Sequence, residues 1–333
     1  MLYSNVYIDA FGYELPPNVV TSADLEKRLE PVYKALHFQQ GQLEAITMHT
    51  GAIKAAQKAL DGSRITANDI GMLIYGGVCR DNLEPATACS VAHGLGLGPA
   101  TQIYDVSNAC LGILNGMVQT ANAIELGQIR AGLIVSCESA RQIIDITIDR
   151  LLNAKDMEIF KKTIATLTGG SGAVAVLLAD RSLSESGHRI LGGIARSAAE
   201  HHRLCVWGPD TGIPASGLHR METDSVGVLQ NGVPLGIETF KALRKKIGWS
   251  DAQPDKIICH QVGATHQRNI LDAIGIPPSR DFTTFKYLGN IGTVSLPITA
   301  AIADEREFLL PGDLVGFLGI GSGLNCLMLG LEW

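Results

Sequence analysis

The 333-residue chain is 46% hydrophobic but only 5% aromatic, it contains 37 glycines, and its formal net charge is -6. A chain of this length can bury a sizeable core, and this composition suits buried sheets against closely packed helices. The acidic balance, without a basic-aromatic stripe, argues against nucleic acid as a partner.

The seven cysteines show neither a CxxC pair nor a Cys/His cluster with zinc spacing, so we expect no metal site. Their odd number is typical of a reducing cytoplasm, and the N-terminus lacks the basic and apolar segments of a signal peptide. The most apolar stretch, residues 308–331, contains Asp313, Asn325 and repeated glycines. It therefore predicts two buried strands and no membrane span, and we expect a cytoplasmic protein.

Strands and helices alternate along the first half of the chain. A first helix is predicted to begin near Thr21 and to kink or end at Pro31. The other predicted elements are strands over 6–11, 70–75, 102–106, 131–136 and 173–178, and helices over 50–60, 85–95 and 111–126, with two further helical runs before the turn at 168–172.

The second half repeats this theme around different turns. Strands are predicted over 190–195, 256–260, 314–318 and 324–331, and helices over 226–247, 265–274 and 295–305. Residues 196–222 are interpreted as an irregular insertion, and Gly232 and Pro234 are expected to interrupt the helix around them. We predict an α/β protein with an internal duplication, in which residues 1–180 and 181–333 each form a five-stranded mixed sheet with helices on both faces.

The strand over 102–106 leads into Cys110, and a helical run follows at once. A helix N-terminus favours an anion, so this position is expected to raise the thiolate fraction of Cys110 and make it a nucleophile. Gly112 and Gly116, four residues apart, would let another backbone pack closely on the helix. A buried structural cysteine is the alternative on local grounds.

Four further residues have both a chemical and a structural interpretation. His260 ends a buried strand, as either a core residue or a catalytic one. Asn290 lies in a glycine-flanked loop, where it serves as a turn residue or as a hydrogen-bond donor to substrate. Ser322 lies in the glycine-rich turn before the last strand, where a backbone N–H could bind an oxyanion. Glu84, just before a helix, is a first-turn carboxylate or a base.

These residues occur in an order that resembles the thiolase superfamily, and more narrowly its ketoacyl synthase III branch with a Cys-His-Asn triad. The resemblance covers nearly the whole chain. Within the branch, the chain is most similar to the OleA family of head-to-head hydrocarbon synthesis. The motifs are Arg80-Asp-Asn-Leu-Glu-Pro85, Asp105 to Met117 with Cys110, His260-Gln-Val262, the Gly289-Asn290 pair and Gly319-Ile-Gly-Ser-Gly-Leu-Asn-Cys326.

The resemblance implies a thiolase fold with α-β-α-β-α layers and an acyltransferase that condenses two fatty acyl thioesters without decarboxylation. Cys110 would become acylated, and its backbone N–H with that of Ser322 would form an oxyanion hole. His260 and Asn290 would bind the carbonyl oxygen of the second thioester. Glu84, supplied across a dimer interface, would remove the α-proton. The implied product is a 2-alkyl-3-ketoacyl compound.

The implied partners are long-chain acyl-CoA or acyl-carrier-protein thioesters, a second copy of the chain, and enzymes of a hydrocarbon pathway. No permanently bound cofactor is expected. The homodimer would pair the strand before Cys110 across its two-fold axis.

The chain departs from these families at two places concerned with coenzyme A. The resemblance implies that about a dozen residues of a coenzyme A-docking arm are absent between Met48 and His49, either because the protein lost the arm or because the chain omits a flexible loop. The segment after His260 lacks an Asn and an Arg that synthase III enzymes use for pantetheine. A decarboxylating synthase III and a thiolase-fold protein that binds acyl chains without condensing them therefore remain alternatives.

Overall fold

The computed structural model describes residues 1–17, 24, 27–29, 48–209 and 219–333. The helix predicted from Thr21 lies outside the described residues except for isolated positions. The segment directly before Met48 also lies outside the described residues. This segment borders the position at which the sequence predicts a missing arm.

The first half of the chain contains five strands and five helices in the described residues. They are β1 (Val6–Glu14), α1 (Met48–Asp61), β2 (Ile70–Gly76), α2 (Thr87–Leu95), β3 (Gln102–Val106), α3 (Gly112–Glu125), β4 (Ala131–Glu138), α4 (Arg141–Ala154), α5 (Met157–Leu167) and β5 (Gly172–Asp180). Each agrees within a few residues with the element predicted there.

The second half follows the same alternation. Its described elements are β6 (His188–Ser197), β7 (Cys205–Pro209), β8 (His219–Thr223), α6 (Ser225–Ile247), β9 (Lys256–Cys259), α7 (Ala264–Ile274), α8 (Phe285–Leu288), α9 (Ser295–Glu305), β10 (Leu314–Gly321) and β11 (Asn325–Glu332).

One nine-stranded sheet, in the order β3-β2-β4-β5-β1-β6-β11-β10-β9, runs through both halves. A short antiparallel pairing between β1 and β6, with Tyr7 opposite Arg189, joins them. Strand directions repeat from one half to the other: β2 and β4 are parallel like β9 and β10, and the next two pairings in each half are antiparallel. This repeat confirms the predicted duplication.

The prediction of five strands in each half holds for the first half and is wrong for the second, where the described residues supply four to the sheet. The counterpart of β3 is a single parallel bridge between Ile257 and Asp281. The chain enters this bridge through a short 3₁₀ turn that begins at Pro278, and the Asp281 side chain accepts the Cys259 N–H at 3.3 Å. A carboxylate therefore takes the backbone donor that a fifth strand would need.

Helices cover both faces of each half-sheet, which confirms the predicted α-β-α-β-α layers. α3 and α9 form the central layer, since Ile113 and Ile298 share one core with the inner faces of β5 and β11. α1 and α2 cover the outer face of the first half, and α6 and α7 that of the second. None of the described helices is both long and apolar enough to cross a membrane.

Two predictions for the region between β6 and β9 are wrong. Residues 196–222, expected to be irregular, contain a 3₁₀ turn and a two-stranded sheet of β7 and β8, although residues 210–218 lie outside the described chain. α6 continues unbroken through Gly232 and Pro234. A Cβ on Gly232 would lie 2.9 Å from the Ile320 side chain, so this glycine serves close packing rather than a break.

Candidate active site

Cys110 lies in the tight connection between β3, at one edge of the sheet, and α3 in the central layer. Ala109 has a φ of 44°, a left-handed conformation that costs energy for a residue with a side chain. The helix begins directly afterwards at Gly112, which packs against the backbone of Gly76: a Cβ on Gly112 would lie 2.8 Å from the Gly76 carbonyl carbon. The predicted close approach of another backbone to this helix is therefore present.

Cys110, Asn290 and Ser322 line one cavity of about 350 Å³. Its walls are largely apolar and come from α4, α5 and the β7–β8 sheet, namely Ile143, Ala165, Val206, Trp207 and Met221. The structure thus brings three of the predicted site residues together beside a surface that suits an acyl chain.

Burial raises the pKa of the Cys110 thiol to about 12, with contributions from Cys205 and Glu138. The expectation of an increased thiolate fraction is therefore wrong, because desolvation of the thiol is the largest effect on its pKa and favours the protonated form. Attack by Cys110 must be coupled to loss of its proton.

Asn290 is held by the turn that precedes β5. Its N–H donates to Thr168 O at 3.0 Å, and its carbonyl accepts the Gly170 N–H at 2.9 Å. A Cβ on Gly170 would lie 1.9 Å from Leu288 O, so only glycine permits this contact. The Oδ1 atom of Asn290 accepts the Gly292 N–H at 3.0 Å, which leaves its Nδ2 group as the donor for a substrate.

His260 follows β9, and its N–H donates to Leu318 O on β10 at 3.0 Å. It is 6% exposed, and it lines a second cavity of about 20 Å³ with His266. His260 is not among the described residues that line the Cys110 cavity. Burial, with His266 nearby, lowers the pKa of His260 to about 3, so its imidazole is neutral.

Glu84 is exposed on the loop between β2 and α2, and it too is absent from the described lining of the Cys110 cavity. The neighbouring Leu83 is 98% exposed. Within one chain, Val78 at the start of this loop lines the cavity, whereas Leu83 and Glu84 lie outside its described lining.

Family models place this fold and site among known enzymes. The model of 3-oxoacyl-[acyl-carrier-protein] synthase III matches residues 104–197, and the model of its C-terminal part matches residues 244–333. The first match contains Cys110, and the second contains His260, Asn290 and Ser322.

Two curated relatives, both named acyl-CoA:acyl-CoA alkyltransferase, match the chain over its whole length and theirs. The protein from Shewanella oneidensis is 49% identical and that from Xanthomonas campestris 35%. The chain belongs to the acyl-CoA:acyl-CoA alkyltransferase family. Alignment with the Shewanella alkyltransferase takes 351 positions, so that relative contains residues that this 333-residue chain lacks.

Solved structures agree with this family. A crystal structure of a Xanthomonas campestris OleA variant matches with a TM-score of 0.93 at 34% identity, over 100% of this chain and 98% of that one. A second variant, described with bound lauric acid and lauroyl-CoA, matches with a TM-score of 0.92 at 34% identity, over 100% of both chains.

The main residue of this alkyltransferase that sequence reasoning missed is Glu138, at the end of β4. It is 4% exposed and lines the Cys110 cavity. Burial raises its pKa to about 7, against the opposing effects of hydrogen bonds from Val78 and Cys79 and the charge of Arg80. The sequence does contain a signal for Glu138, since it is a charged residue at the end of a predicted strand that is otherwise apolar.

Three asparagines, also missed, connect the Cys110 turn to the last hairpin. The Asn325 Nδ2 donates to Asn108 Oδ1 at 3.0 Å, and Asn108 Nδ2 donates to Asn115 Oδ1 at 2.8 Å. Asn325 Nδ2 also lies 3.4 Å from Ser322 O. This chain of amides positions the Ser322 turn relative to Cys110.

Proposed function

We propose that this alkyltransferase condenses two fatty acyl thioesters without decarboxylation to a 2-alkyl-3-ketoacyl product through an acyl-Cys110 intermediate. The observation that carries the proposal is the shared cavity of Cys110, Asn290 and Ser322 with its apolar walls. The names of the two alkyltransferase relatives and the lauroyl-CoA described for one OleA structure support acyl-CoA as the substrate.

In the first half-reaction, the Cys110 sulfur bonds to the carbonyl carbon of one thioester, the carbon–sulfur bond to coenzyme A breaks, and the Cys110 proton ends on the coenzyme A sulfur, which leaves as the thiol. The backbone N–H groups of Cys110 and Ser322 would receive the oxyanion that forms. The acyl chain would then extend along the apolar walls of the cavity.

In the second half-reaction, Asn290 and His260 would hold the carbonyl oxygen of the other thioester as it becomes an enolate. A neutral imidazole has one N–H to donate, which suits this role. Glu84 would accept the α-proton. The α-carbon then attacks the acyl-Cys110 carbonyl, and the Cys110 sulfur leaves.

Two observations support Glu84 acting in a partner subunit. β3 lies at one end of the sheet order, so its outer side is available to pair with a second copy across a two-fold axis. The exposed Leu83 and Glu84 project from the adjoining loop. Analytical ultracentrifugation at micromolar concentration should give a homodimer, and a stable, active monomer would contradict this arrangement.

The remaining parts of the proposal concern context. Coenzyme A or acyl carrier protein would deliver the substrates, and no permanently bound cofactor would be needed. The expected location is the cytoplasm and the expected role is hydrocarbon biosynthesis with downstream enzymes. Seven free thiols are consistent with a reducing compartment.

The proposal is tested by incubating the protein with myristoyl-CoA alone and separately with malonyl-CoA added. We expect mass spectrometry to detect an acylated enzyme and a 2-alkyl-3-keto product in both samples. Product formed only with malonyl-CoA would indicate the decarboxylating synthase III, and acylation without any product would indicate an acyl-binding protein.

A further inference from the structure

The loop between β2 and α2, residues 77–86, is anchored at each end by a carboxylate from another strand. Glu138 ends β4, and Asp105 lies near the end of β3. Glu84 lies between the two anchored ends.

At the first end, Glu138 accepts two successive backbone donors. Its Oε1 accepts the Val78 N–H at 2.9 Å, and its Oε2 the Cys79 N–H at 3.3 Å. The carboxyl group lies beside Gly77, where a Cβ would come within 2.9 Å of Oε1. Because Glu138 is buried, water cannot replace it as the acceptor for these donors.

At the second end, Asp105 caps α2 from outside the helix. Its Oδ2 accepts the Thr87 N–H at 2.9 Å, and its Oδ1 the Ala88 N–H at 3.0 Å. The residue before the helix, Ala86, has no side chain that could cap it. Asp105 therefore fixes where the helix begins and where the loop ends.

We propose that Glu138 and Asp105 are positioning residues that hold Glu84 at the distance and angle needed for proton removal. The inference rests on the proposed function, in which Glu84 acts as the base in the partner's site. In this role each residue acts through the loop. Glu138 also lines the Cys110 cavity, so the acylation rate of its variant is measured separately, and Asp105→Asn isolates the effect of the loop.

Replacement of either carboxylate by the matching amide weakens its anchor. An amide has one acceptor oxygen, so its NH₂ group must face one of the two backbone donors. The loop end is then released while side-chain volume is kept. A displacement of about 1 Å at a reacting group can cost on the order of 100-fold in rate.

The measured quantity is the ratio of the condensation rate to the rate of Cys110 acylation, with myristoyl-CoA as substrate. We expect Asp105→Asn and Glu138→Gln each to lower this ratio roughly 10- to 100-fold. Asp69→Asn is the matched control, since Asp69 also accepts a backbone N–H, from Thr66 at 2.9 Å, at the opposite end of β2. Its ratio should equal that of the wild type. An unchanged ratio in both loop variants would overturn the proposal.

Hybrid dimers test whether altering the loop of one subunit lowers condensation at Cys110 of the partner subunit. In the first hybrid, one subunit carries Cys110→Ala with Asp105→Asn, so the intact Cys110 depends on Glu84 from the altered loop. In the second, one subunit carries Cys110→Ala and the other Asp105→Asn, so the intact Cys110 receives Glu84 from an unaltered loop. We expect condensation to fall in the first hybrid relative to the second.

Equal activities, or the reverse order, would overturn the role of the anchored loop in the partner's site. A hybrid that carries only Cys110→Ala in one subunit is the reference. If that reference acylates but makes no product, the proposed condensation itself fails, which separates the two outcomes.

Discussion

The two halves of the molecule place different chemistry at equivalent positions of a repeated topology. The segment that follows β2 carries Glu84 on an exposed loop of ten residues, 77–86, before α2 begins. The segment that follows the equivalent β9 has only residues 260–263 before α7, and it carries the buried His260.

A second pair of equivalent segments follows β3 in the first half and its counterpart in the second half. β3 leads into Cys110, and the Asp281 bridge that replaces it in the second half leads into the loop of Asn290. Cys110 and Asn290 both line the Cys110 cavity. In the first pair the longer loop carries an exposed residue and the shorter one a buried residue, whereas in the second pair connections of different length bring both residues to the same cavity.

The largest effect is expected at Cys110. Cys110→Ala should abolish both acylation and condensation, because the covalent intermediate loses its sulfur. Cys205→Ala is the matched control, since Cys205 lines the same cavity. Peptide mapping after incubation with myristoyl-CoA checks the site, and an adduct on the buried Cys137 or Cys326 would disprove the assignment.

Glu84→Gln should lower condensation ~100- to 10,000-fold while acylation of Cys110 stays within about twofold, because only the second half-reaction needs a general base. Single-turnover acylation and steady-state product formation are measured on the same preparation. Condensation at the wild-type rate would show that the exposed loop has no catalytic role. Of the two equivalent positions, only the one that carries His260 would then contribute to the reaction.

Asn290→Ala and His260→Ala should each lower condensation about 100- to 1,000-fold, the usual cost of removing one oxyanion donor. If both bind the same oxygen, the double variant should lose much less than the product of the two single losses. Fully multiplicative losses would show that the two residues act in separate steps.

The smallest effect is on stability and concerns Glu138 and Asp281, the two carboxyls whose burial raises the pKa of each to about 7. The ordinary value for Glu138 is 4.5, so between pH 4.5 and 7 the folded state binds more protons than the unfolded state. The free energy of unfolding should therefore fall as pH rises through this window, by roughly 3 kcal/mol from Glu138.

Urea unfolding at pH 4.5, 5.5 and 7 tests this slope. Glu138→Gln should remove the contribution of Glu138 to this pH dependence of the free energy of unfolding. Asp281→Asn, in the second half, should remove a comparable contribution. The lowered pKa of His260 acts in the opposite direction between about 3 and 6.5, so each variant is compared with the wild type at the same pH. Equal slopes in wild type and both variants would contradict the prediction.

Most of the elements, the duplication and the order of the chemical motifs could be predicted from the sequence, whereas β7, β8 and the unbroken course of α6 could not. Hydrophobic periods of two and 3.6 residues are local signals, and they predicted β3, α3 and α9 almost to the residue. The position of Cys110 between a strand and a helix could be predicted for the same reason.

Tertiary structure alone decided which groups share an environment. The pKa of Cys110 rises because other parts of the chain remove water from it, and no local pattern reports that burial. Glu138 meets Val78 from 60 positions away along the chain, and α6 continues through Gly232 because Ile320 packs there. Such contacts arise only when the layers assemble, since they join residues that are distant in the chain.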